Sequence, residues 1–105
     1  MRDFPVQLPE GVDFLLVEEA VEACCQEMEL IRAMKDTLAK YPGCVHWHFK
    51  KRRTSGTLEI TLWPATNRLW VTIQEGRRAE WIEDACPILI QRLEKAVRNA
   101  RVEHS

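Results

Sequence analysis

Three short runs carry apolar residues at every second position: Val45-Trp47-Phe49, then Leu58-Ile60-Leu62, then Leu69-Val71-Ile73. Period-two alternation is the signature of a strand with one buried face, so the three runs predict three strands with these residues turned to the core. The connections, Lys51 to Gly56 and Pro64 to Asn67, are short and carry turn residues, which makes an antiparallel meander. Before and after it the spacing changes. Val17, Val21, Cys24, Met28, Ile31 and Leu38 recur at steps of four and three, with Asp13 as an N-cap and Pro42-Gly43 as a stop, which predicts one long helix from Asp13 to Tyr41. Ile82, Cys86, Leu89, Leu93 and Val97 form a second helical stripe between about Ala79 and Ala100. Pro87 places either a helix start capped by Asp84 or a kink after a short turn holding Trp81 and Ile82.

The expected architecture is a single α+β domain of order α-β-β-β-α, with both helices on one face of a three-stranded antiparallel sheet. Residues 1–12, broken by Pro5, Pro9 and Gly11, read as an N-terminal arm with at most a short strand around Val6 to Leu8, and residues 13–105 as the domain. Charge agrees with the long helix, since Glu18, Glu19 and Glu22 open it and Arg32, Lys35 and Lys40 close it, complementing its dipole. Its length is the one discord. Such a helix would run roughly 40 Å, against roughly 23 Å for a seven-residue strand, so it bends or projects toward a partner.

Strand parity assigns the remaining residues to the opposite face: Cys44, His46, His48 and Lys50 from the first strand, Glu59, Thr61 and Trp63 from the second, Trp70, Thr72 and Gln74 from the third. The tightest consistent hairpins set His48 opposite Glu59, in line with Thr72, and His46 opposite Thr61, in line with Trp70. Trp63 and Trp70 make this face too apolar for open solvent, so a second copy of the chain or the N-terminal arm is expected to cover it. The primary functional expectation is therefore a non-catalytic interaction module, a homodimer joined through Trp63, Trp70 and His46 or through the helix seam at Met28 and Ile31.

Two further sites lie within the stretch Cys44 to Arg53. Cys44, His46 and His48, with Glu59 across the strand, supply one thiolate, two imidazoles and a carboxylate, donors suited to a divalent transition metal. Lys50, Lys51, Arg52 and Arg53 leave the first strand where Arg77 and Arg78 leave the third, so six of the 15 Lys and Arg residues share one corner suited to nucleic acid or phosphate. The helix, three strands, helix order resembles the double-stranded RNA-binding domain, which implies RNA contact through the first hairpin loop and the start of the last helix. The loop here reads Lys51-Arg52-Arg53-Thr54-Ser55-Gly56 in place of that family's Gly-Pro-x-His, and Glu80, Glu83 and Asp84 follow Arg77-Arg78.

Composition narrows the field. The chain has 105 residues, 46% hydrophobic and 30% charged, with a net charge of −1, an ordinary balance for one core and no global attraction to polyanions. A domain of this size stands without metal or disulfide staples, and no cofactor is required for folding. Four cysteines without C-x-x-C spacing read as reduced, mostly buried thiols. No apolar run spans a bilayer and residues 1–5 open no signal-peptide pattern, so a cytoplasmic protein without membrane contact is expected. Gly-rich phosphate loops, G-x-S-x-G and H-E-x-x-H are absent, which leaves no catalytic residues to nominate.

Overall fold

The computed structural model describes residues 1–77 and 79–101. Its elements are β1 (Arg2–Val6), α1 (Phe14–Glu27), β2 (Leu30–Asp36), β3 (Val45–Lys51), β4 (Leu58–Trp63), β5 (Arg68–Ile73) and α2 (Glu80–Val97). All five strands join one antiparallel sheet in the order β1-β5-β4-β3-β2. The α+β class stands, but the three-stranded α-β-β-β-α arrangement does not. The meander β3-β4-β5 gains a strand at each edge, one from residues read as an arm and one from the second half of the supposed long helix. With β1 ahead of α1 and β2 behind it, the element order departs from that of the double-stranded RNA-binding domain.

The early end of α1 has a local cause. Asp13 caps the helix as its sequence position suggests, with Oδ1 accepting from the Leu15 and Leu16 N–H groups. At the other end the Met28 N–H donates back to Cys24 and Cys25, and Glu29 takes a left-handed φ of 60° that turns the chain around. That conformation is uncommon for a residue with a side chain, and no glycine marks it in the sequence. Turning back lets Leu30–Asp36 pair with the exposed edge of β3 and satisfy its backbone, whereas a continued helix would leave the sheet.

Four of the charges assigned to a helix dipole, Glu18, Glu22, Arg32 and Lys35, join two elements instead. Lys35 on β2 lies 3.3 Å from Glu18 and 3.0 Å from Glu22, and Arg32 also pairs with Glu22, so the acidic face of α1 lies over the basic strand. Burial pushes the Glu22 carboxyl up, but Lys35 and Arg32 outweigh it and hold the group below the ordinary carboxylate range. A lowered folded-state pKa contributes stability that is present at neutral pH and lost as pH falls through the lowered value. These pairs are substantially exposed. Glu22→Gln is therefore expected to cost only about 0.5–1 kcal/mol at pH 7, and urea unfolding at falling pH should show the difference between wild type and variant closing.

The inner face follows parity. Trp47, Phe49, Leu58, Ile60, Leu62, Leu69, Val71 and Ile73 are buried against Val17, Val21 and Cys25 of α1 and against the Ile82, Cys86, Leu89, Leu93 and Val97 stripe of α2. α2 passes through Pro87 without interruption, so it neither begins at Asp84 nor splits from a preceding turn. Pro87 lies on the solvent face, where the Glu83 carbonyl it leaves without a helical partner can face water. All four cysteines are free and buried, and burial raises the Cys24, Cys25 and Cys86 thiols. No helix among the described residues is long and apolar enough to cross a membrane.

Candidate metal centre on the outer sheet face

The register inside the meander is the one parity requires. His48 pairs with Glu59 and Glu59 with Thr72, while His46 pairs with Thr61 and Thr61 with Trp70. The first row extends to both edges, from Met34 on β2 to Asp3 on β1, and places Glu59 on the central strand. Thr72 Oγ1 donates to Asp3 Oδ1 at 2.7 Å, tying the far end of that row.

Residues 1–12, expected as one possible cover for the outer tryptophans, instead place β1 beside β5 at the sheet edge. The connection from β2 to β3 folds over the tryptophans. Tyr41 packs 4.9 Å from Trp63 and 5.1 Å from Trp70, ring centre to ring centre, and Trp63 Nε1 donates to the Pro42 carbonyl at 3.0 Å. Trp70 is buried beneath this loop, with Arg68 stacked on its ring. The other two residues expected at an interface separate: Met28 is the C-cap of α1, and Ile31 lies half-exposed on edge strand β2 and not on a helix.

Beside this covered half, His46, His48 and Glu59 converge. His46 Nε2 stands 3.2 Å from Glu59 Oε1 and 3.1 Å from His48 Nε2, and His48 Nε2 stands 3.5 Å from the same carboxylate oxygen. One face of a tetrahedron around zinc, with bonds of about 2.0–2.1 Å, has edges of about 3.3–3.4 Å. The three donor atoms form a triangle of that size. Thr61 Oγ1 meets His46 Nδ1 at 2.8 Å, and a hydrogen bond accepted there from Nδ1–H leaves Nε2 as a lone pair aimed at the carboxylate. His46 and Glu59 are about 5% exposed, which matters because a buried carboxylate is costly unless positive charge or hydrogen-bond donors face it.

Of the four residues predicted as ligands, the fold brings together three. Cys44 belongs to the covering loop, where its sulfur accepts from the Leu38 N–H at 3.3 Å. The triangle opens into a cleft of about 730 Å³ lined also by Met34, Leu38, Gln74 and Gly76. Neither Met34 nor Leu38 was placed at the site from sequence, because their segment was assigned to the long helix. The mismatch between its length and the sheet was the available signal.

The basic corner is less concentrated than the sequence suggests. β3 ends where β4 begins and β5 ends, so the expected edge is shared. Lys50 lies in a cleft with His48, Gly56, Thr57 and Gly76, whereas Lys51 lines a different one with Met28, Leu30, Trp81 and Asp84. Arg52 and Arg53 are exposed in the hairpin turn. Arg77 closes the short turn Glu75–Arg77, and Arg78 lies outside the described residues. Comparison with family models, curated proteins and solved structures finds no match to this chain.

Proposed function

We propose that the protein is a metal-binding domain that holds a divalent first-row transition ion through His46 Nε2, His48 Nε2 and one oxygen of Glu59. The observation that carries this reading is the triangle of 3.1, 3.2 and 3.5 Å formed by two imidazole nitrogens of β3 and a carboxylate oxygen of the adjacent β4. Two nitrogen donors and one oxygen favour zinc, iron, cobalt or nickel over magnesium and calcium, which take all-oxygen shells. Three protein ligands leave at least one coordination position toward the cleft, the pattern of exchangeable and not of closed structural sites. Self-association through the tryptophan face is less well supported, because Tyr41 and Pro42 of the same chain occupy that surface.

Elemental analysis of protein prepared without a purification tag and dialysed against zinc is the test. Wild type is expected to retain one zinc per chain, and His48→Ala to bind at least about 100-fold more weakly, since it loses one of three ligands. Equal retention by both proteins would end this reading.

A further inference from the structure

The cleft above the three ligands does not end at His48. A second cleft of about 440 Å³ shares His48 and Gly76 with the first and continues along the outer face to Lys50, Gly56 and Thr57. Among the described residues lining the two, Glu59 and Lys50 are the charged side chains. A divalent ion on two neutral imidazoles and one carboxylate keeps a net charge of about +1, and the Lys50 ammonium raises the total over these described groups to about +2. The open coordination position and the cation thus face one continuous groove.

Resting on the metal assignment above, we propose that this groove binds a phosphate monoester, with one phosphate oxygen completing the metal's coordination and the others reaching Lys50 and the Thr57 hydroxyl. Charge selects the class. A monoester carries about −1.5 to −2 near neutral pH and matches the groove, while a carboxylate or a phosphodiester carries about −1 and leaves it half compensated. The number of acceptors agrees: a carboxylate bound through one oxygen has one left, whereas a monoester bound through one keeps two terminal oxygens, one for the ammonium and one for the hydroxyl. Gly56 and Gly76 carry no side chain beyond Cα, so both allow a ligand close to the backbone.

The test uses the full chain loaded with cobalt(II), whose visible spectrum reports its coordination, titrated with inorganic phosphate and with phenyl phosphate. Both are expected to change the spectrum saturably. Lys50→Ala should weaken both by about ten-fold or more without weakening cobalt binding, because it removes a charge-assisted contact to the ligand and none to the metal. Lys51→Ala, altered on the other face of the sheet, should behave as wild type. Cobalt uptake with a spectrum indifferent to phosphate overturns this proposal alone, as does equal phosphate affinity in the two lysine variants. Failure to take up cobalt removes the metal reading and this proposal with it. A single-stranded oligonucleotide that binds more tightly than phenyl phosphate, with or without cobalt, overturns the monoester assignment in favour of nucleic acid on the basic turn.

Discussion

Trp47→Ala is expected to lower the unfolding free energy by about 3–5 kcal/mol, a large share of the about 5–15 kcal/mol available to a domain of this size. Trp47 sits on the inner face of β3, fully buried, paired with Lys35 across β2 and Ile60 across β4, so neighbours on both sides hold the cavity open. The same side chain has a defect. Its Nε1 is buried with no hydrogen-bond partner among the described residues, and an unsatisfied donor costs about 1–3 kcal/mol. Trp47→Phe removes that donor while keeping an aromatic ring, and the two effects oppose each other. The phenylalanine variant should therefore lie within about 1.5 kcal/mol of wild type, far from the alanine variant. Urea unfolding of the three proteins measures both gaps. An alanine variant within about 1 kcal/mol of wild type would mean that β3 is not the centre of the core.

Where sequence reasoning succeeded, pattern and burial coincide. β3, β4 and β5 each have a buried inner face and outer residues of distinct chemistry, so parity fixes both the core and the pairing of His46 with Thr61 and of His48 with Glu59. It failed over Leu30–Asp36 because an edge strand has little burial to impose a period: Leu30 is the one buried residue of its seven. Met28, Ile31 and Leu38 fell on helical spacing there by coincidence. The turn that ends α1 uses Glu29 in a left-handed conformation where a glycine would have announced it. Arg32 and Lys35 misled in the same direction, since cations near the end of a helix and cations on a strand packed against it look alike in sequence. β1 was hidden by Pro5, which an edge strand tolerates.

The cluster of His46, His48 and Glu59 was legible for the reason that made the meander legible. Cys44, expected beside them, has the correct parity but precedes β3 and is held by the covering loop. Parity places a side chain on a face. It does not say which loop will lie across that face, and here the 37–44 connection divides the outer surface into a covered aromatic half and an open half with the histidines.

Zinc at about 100 times its dissociation constant should raise the melting temperature of the wild-type protein by roughly 10–20 °C. Ligand binding to the folded state alone contributes about 2.7 kcal/mol at that ratio, and each kcal/mol moves the midpoint of a domain of this size by about 4–8 °C. Calcium and magnesium at the same concentration should leave it unmoved, because neither favours imidazole. The zinc shift should shrink as pH falls, since protons compete for the imidazole lone pairs that the ion needs. His46→Ala is the decisive variant, and its midpoint without metal cannot be compared directly with wild type. Removing the imidazole also takes away a group that faces the buried Glu59 carboxylate and leaves Thr61 without its 2.8 Å partner, so the variant should be less stable before any zinc is added. The quantity to compare is the zinc-induced shift within each protein, measured by calorimetry with and without zinc. In His46→Ala it should fall to within a few degrees of zero. A variant that keeps the full shift would show that zinc binds elsewhere on the chain, whereas loss of the shift under a lowered baseline would assign the binding energy to the outer-face triangle.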